Sequence, residues 1–134
     1  MTEGPIWLTM ELVLALHARA LETDGGLDGL RAKGALESAL ARPRSAHALG
    51  EVDLVRLGAM YAQSLAKNHA FLDGNKRIAF PATYTFLRLN GREFLADAGD
   101  VARAFRALAS SESSFEEFKT WLDVATRPHE PGRQ

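Results

Sequence analysis

The sequence predicts an all-α fold: a compact helical bundle with a polar loop between its two central helices. Three observations carry this expectation. Apolar residues recur at three- and four-residue steps along successive stretches. Capping or breaking residues bound each stretch. No alternation runs long enough for a sheet, and neither a heptad run nor a fixed-period repeat is present. At 134 residues and 46 % hydrophobic, the chain suits one domain with a real core. Residues 1–126 are assigned to it and 127–134 to a flexible tail.

The first helix is expected from Thr9 to Glu22, where Met10, Val13, Leu14, His17 and Leu21 share a face, Thr9 caps the start and "TDGG" ends it. A second, "LRAKGALESALARP", aligns Leu36 with Leu40 and is expected to stop before Pro43, because the residue before a proline disfavours helical backbone. "RSAHALGE" then reads as a loop. From Val52 to Lys67, Leu54, Leu57, Tyr61 and Leu65 line one side, and Gly58, Ala59 and Ala62 are small enough for a close helix approach.

The fourth stretch, Lys76 to Leu89, is apolar nearly all round, which marks a buried helix ended by Asn90 and Gly91. Pro81 within it removes a donor to the Arg77 carbonyl, and a bend is expected. "REFLA" suggests a short extended segment. Two further helices follow: one carries Val101, Ala104, Phe105 and Leu108 behind Asp97 or Asp100, the other Phe115, Phe118 and Leu122 behind a Ser114–Glu117 capping box.

Sixteen basic and seventeen acidic residues leave a net charge of −1, so neither a nucleic-acid coat nor a polybasic membrane anchor is expected. The absence of cysteine excludes disulfides and cysteine-held zinc. The N-terminal residues lack a basic leader and a cleavage pattern, and no apolar run matches a bilayer's thickness, so a cytoplasmic protein is expected.

One segment departs from this ordinary pattern: "NHAFLDGNKRIAF", residues 68–80. Gly74 and Asn75 are residues that permit a tight turn or positive φ, and they stand where one central helix stops and the next begins. The first N–H groups of a helix have no internal acceptors and sit at the positive end of its dipole, which makes the start of the fourth helix an anion site. Lys76 and Arg77 oppose that dipole in its first turn, so a negative partner is expected. A phosphate supplies one; Asp73 is an alternative internal counterion. With a nucleotide bound, Asp73 would serve better as a magnesium ligand, because magnesium is typically held by one or two carboxylates and phosphate oxygens. His69 places an imidazole, which titrates near neutrality, where it could take a proton from an incoming hydroxyl. Phe71 is expected to point into the core and pin the loop.

His69, Phe71, Asp73, Gly74, Asn75, Lys76 and Arg77 match the H-x-F-x-[DN]-[AG]-N-K-R motif, and by this the chain resembles the Fic/Doc family. Seven specified positions would recur by chance in about 10⁻⁹ of windows. The likeness extends to "ELVLALHARAL", "GGLDGLR", "ALESALARPR" and "FLRLNG", which are similar to stretches of death-on-curing toxins. It implies the helical Fic fold and transfer of a phosphate-containing group from a nucleotide to a protein hydroxyl. AMP-transferring relatives have glycine where this chain has Lys76 and a second arginine where it has Phe80. Both departures point to the Doc branch, in which the γ-phosphate of ATP goes to a threonine of translation elongation factor Tu.

Carried over, His69 is the general base, and Asp73 acts in catalysis by helping to hold magnesium and orient the substrate. Gly74, Asn75, Lys76 and Arg77 are the phosphate-binding residues, the last three also acting in catalysis. The resemblance further implies a Phd-like antitoxin, since no glutamate satisfies the inhibitory [ST]-x-x-x-E-[GN] pattern found in many Fic proteins. It places a substrate-aligning flap at "SAHALGE", with His47 in it. Alternatives are an AMP transferase on the same scaffold, a histidine–metal nuclease, for which the expected β-hairpin is missing, and a non-catalytic binding module. His17, Trp7 and Trp121 read as packing residues, Arg42 and Arg44 as solvated, and His129 as part of a frayed tail.

Overall fold

The computed structural model describes residues 4–26, 29–71 and 74–129, apart from the side chains of Asp24 and Lys76. Their elements, in order, are α1 (Met10–Asp24), α2 (Lys33–Ala48), α3 (Leu54–Lys67), α4 (Asn75–Leu89), β1 (Arg92–Phe94), α5 (Ala98–Ala109), α6 (Phe115–Ala125) and β2 (Thr126–Pro128). Among the described residues the fold is all-α apart from one antiparallel β1–β2 pair and a lone bridge beside the loop.

The helix starts follow their capping chemistry. Thr9 accepts from the Leu12 N–H, Asp53 from Val55 and Arg56, and Asp97 from Asp100. The Ser114–Glu117 capping box is complete in both directions. Such caps each contribute about 1 kcal/mol.

α3 and α4 form the centre and share the most extensive contact; α1 covers α4, α2 covers α3, and α5 and α6 close the remaining side. Gly58 permits the close α3–α4 approach, since a Cβ there would meet Leu87 Cδ2 at 3.1 Å. Tyr61 and Phe86 are fully buried between them, and Trp7 stacks on Phe86 with centroids 5.9 Å apart. Each such ring contributes about 1.5–3 kcal/mol through burial. Trp121 packs on Phe105 and Phe118, as a core aromatic should.

Four expectations are corrected. α2 does not stop before Pro43; it continues through it to Ala48, with the proline buried. An interior proline costs about 3 kcal/mol, and tertiary contacts offset this. The Pro43 ring joins Leu36, Ala39 and Leu40 on the buried face. His47 in the last turn bonds the Glu51 carbonyl at 2.9 Å and meets the Trp7 ring edge-on.

The expected flap therefore fails as placed. Ser45–Ala48 is helical, and the turn after it sits at the opposite end of α3 from His69, about 21 Å away at ~1.5 Å per residue.

Residues 127–129 are bonded to the fold and are not part of a flexible tail. Thr126–Pro128 pairs with β1, the His129 N–H donates to the Gly91 carbonyl at 2.6 Å, and its ring meets Glu93 at 3.0 Å. Finally, Arg42 is half-buried rather than solvated. It donates to Gln63 and Ser64 and lies over the Phe115 ring, while Arg44 lies over Trp7.

Candidate active site

The loop between α3 and α4 is held from three sides. On the α3 side, Asn68 is the C-cap, its N–H bonded to the Ser64 carbonyl at 2.9 Å and its side chain to the Ala35 carbonyl at 3.4 Å. One residue beyond His69, the buried Ala70 offers its carbonyl to the N–H groups of Arg31 and Ala32 at 2.7 and 2.9 Å. His69, between these anchors, has φ of +52° and is exposed. A left-handed non-glycine residue costs about 1 kcal/mol or more. The flanking bonds impose it, and the imidazole is presented to solvent.

Phe71 is 1 % exposed, as expected of a pin. Leu30 pairs with it in an antiparallel bridge, and its ring stacks on His17. The segment at residues 29–32, between α1 and α2, is thus the one beside the motif. That is where the substrate-aligning role assigned to "SAHALGE" would have to be met. Topology explains the difference: α2 starts beside the loop and ends far from it.

Asn75 clamps the loop. Its Oδ1 accepts the Phe71 N–H and its Nδ2 donates to the Phe71 carbonyl, both at 2.9 Å. The side chain expected to grip phosphate is first a structural tie, and its main-chain N–H is what it offers at the helix start. Gly74, the N-cap of α4, has φ of +79° and ψ of 14°, the left-handed turn expected at this position. The first rung of α4 runs from Ile78 N–H to Gly74 C=O at 3.0 Å, so the N–H groups of residues 75–77 precede the ladder.

Arg77 donates from Nη1 to the Gly25 carbonyl at 2.6 Å. Gly25 is the C-cap of α1, which ties the start of α4 to the end of α1. Asp73 lies outside the described residues, as does the Lys76 side chain. Among the described residues no cluster of three His, Asp or Glu could hold a metal. A magnesium ion carried on phosphate oxygens would need only one or two protein carboxylates, and the motif's carboxylate is Asp73.

A groove of about 1,020 Å³ opens beside Arg77, between α1, α4, β1 and α5. Phe80, Tyr84, Phe94 and Phe105 line it, with Arg19 and Arg106 at its margin. Phe80 touches the other three rings, at centroid distances from 5.3 to 5.8 Å. No second cation can therefore come from that position. The groove was not anticipated, although Leu16, Arg19, Ala20 and Thr23 share one face of α1 at helical spacing.

The loop thus carries an exposed histidine, a left-handed glycine that opens a buried helix, and in that helix's first turn an arginine bonded to the end of α1. Residues 7–87 match the Fic/DOC family, and the chain belongs to it. It is similar to the "Toxin Doc" of Mycolicibacterium smegmatis, with 47 % identity over 83 residues, 60 % of this chain and 62 % of that protein. It is also similar to the "Protein kinase doc" of Escherichia phage P1, with 32 % identity over 108 residues, 80 % of this chain and 85 % of that one. The chain thus spans under two thirds of the mycobacterial relative's length. No helix among the described residues is long and apolar enough to cross a membrane.

Proposed function

We propose that this protein is a toxin kinase of the Doc type, moving the γ-phosphate of ATP to a threonine hydroxyl of translation elongation factor Tu and so stopping protein synthesis. The observation that carries the reading is one loop that exposes His69 and then, through the left-handed Gly74, opens the helix whose first turn bears Arg77. The similarity to a phage protein described as a kinase supports it, as does Phe80 in place of the second arginine of AMP-transferring relatives.

In this reading the N–H groups of residues 75–77, with Lys76 and Arg77, hold the terminal phosphates and stabilise charge as the group moves. The acceptor oxygen forms a bond to the γ-phosphorus while the bond from that phosphorus to the β–γ bridging oxygen breaks. His69 takes the hydroxyl proton, and ADP leaves. Magnesium, with Asp73 as its carboxylate ligand, would supply charge neutralisation on the phosphates. The target chain would pass along residues 29–32, beside His69.

Restraint would come from a Phd-like antitoxin. A segment that folds on binding suits a groove with an apolar floor and cationic margin. Because Arg77 belongs to both groove and loop, an acidic residue of such a segment would draw on the cation that ATP needs.

The experiment is incubation with elongation factor Tu, magnesium and ATP labelled at the γ- or the α-phosphate. A γ-label on the factor is expected. An α-label would mean AMP transfer, and no label on any protein a binding module. His69→Ala should fold normally and lose transfer by ~10²–10⁴-fold; an unchanged rate would remove His69 from the mechanism.

A further inference from the structure

One buried histidine beneath the loop has no part in the chemistry above. His17 lies inside α1 and is 2 % exposed. Its ring stacks on Phe71 with centroids 3.8 Å apart and planes 13° from parallel. Its Nε2–Cδ2 edge faces Gly74: a Cβ at that glycine would lie 3.1 Å from Nε2 and 3.4 Å from Cδ2, with Leu21 Cδ2 also at 3.4 Å.

A single imidazole therefore touches the loop at both of its structural points. Its face supports the pin, Phe71, and its nitrogen edge abuts the left-handed turn from which α4 starts. A buried imidazole must keep its nitrogens hydrogen-bonded, so its orientation as well as its volume is fixed where it packs.

We propose that His17 is a positioning residue for the phosphate site: its face holds Phe71 and its Nε2 edge sets the turn at Gly74, aiming the first N–H groups of α4. This deepens the reading under Proposed function and rests on it. Hydrogen bonds weaken steeply with misalignment, and an ångström of displacement at a reacting group can cost a hundredfold in rate. A change at position 17 thus acts on nucleotide affinity through the loop, without touching nucleotide.

The test compares His17→Phe, which keeps a ring but no nitrogen, with His17→Gln, whose amide nitrogen can reach the position of Nε2. Both are made in the full chain and checked by thermal melting. His17→Phe is expected to melt within a few degrees of wild type, yet to bind magnesium–ATP at least about 10-fold more weakly. Its transfer should fall mainly through KM, and His17→Gln should recover most of the loss. A phenylalanine variant equal to wild type in ATP affinity and KM would reduce His17 to packing and overturn the proposal.

A second measurement needs no nucleotide: the amide NMR signals of Gly74 and Asn75 should shift, and their hydrogen exchange quicken, in His17→Phe but much less in His17→Gln. If wild type itself neither binds nor transfers, the kinase reading falls, and the amide signals still decide whether His17 sets the turn. Unchanged amides would overturn it.

Discussion

Asn75 is the side chain whose removal best separates the loop's architecture from its chemistry. In Asn75→Ala both bonds to Phe71 vanish, leaving the N–H and C=O of a residue that is 1 % exposed without those partners. Each such bond contributes about 0.5–1.5 kcal/mol net, and a stranded polar group costs about 1–3. The two bonds are part-buried, so water can recover some of the loss, and the sum is about 2–3 kcal/mol. For a chain of this size that is roughly a 10 °C fall in melting temperature. Urea unfolding at neutral pH measures it directly. Alanine also raises helix propensity by a few tenths of a kcal/mol, which works against the loss but cannot cancel it. A loss below about 0.5 kcal/mol would refute the assignment of Asn75 as the loop's tie. His69→Ala supplies the contrast: an exposed side chain whose loss should leave the unfolding midpoint unchanged.

Other substitutions probe separate links in the same structure. Gly74→Ala puts a Cβ on a residue with φ of +79° and within 3.1 Å of His17 Nε2; a loss of about 1–3 kcal/mol and weaker ATP binding by calorimetry are expected. Gly58→Val drives two methyl groups toward the fully buried Leu87, whose Cδ2 would lie only 3.1 Å from a Cβ at position 58, so unfolding should show about 1–3 kcal/mol of overpacking. Asp53 joins the α3 cap to Lys119 of α6 at 2.9 Å. Burial raises its carboxyl, but Lys119 and the N–H groups of Arg56 and Val55 outweigh that and hold it below the usual range. Its contribution is therefore complete above the unfolded value of about 3.9 and is lost as pH falls through the depressed folded value. Asp53→Asn should cost up to about 1 kcal/mol at pH 7, a gap that closes on acidification in paired urea titrations.

Much of this was legible in the chain because the signals were local. Thr9, Asp97 and the Ser114–Glu117 pair cap where their types and spacing say they should. The loop's position between central helices followed from Gly74 and Asn75 standing at a change of periodicity. What escaped was long-range. Pro43 breaks helices by local rules, and long-range contacts, among them the buried ring and the Trp7–His47 pair, offset that in α2. Thr126–Pro128 is too short to show alternation, and its order comes from a partner thirty-four residues earlier. The segment beside His69 could not be placed from spacing, since its proximity arises from the Leu30–Phe71 bridge. Asn75 was recognised by type, but its type suits both a ligand and a clamp, and only coordinates separate the two.

The loop divides its labour by burial. Phe71, the Asn75 side chain and His17 face inward and fix geometry, while His69 is outside and Arg77 stands at the rim of the groove. The strain follows the same line. His69 carries the positive φ because residues 68 and 70 are each bonded to the start of α2, at Ala35 and at Arg31 and Ala32. Releasing either anchor would let residue 69 relax to an ordinary backbone and re-aim its imidazole. The cost of that strain is met by bonds between the loop and the start of α2, which is the arrangement a preorganised site requires. Chemistry at this loop can accordingly be lost without touching a ligand-facing atom, by loosening Ala35, Ala70 or Phe71 alone.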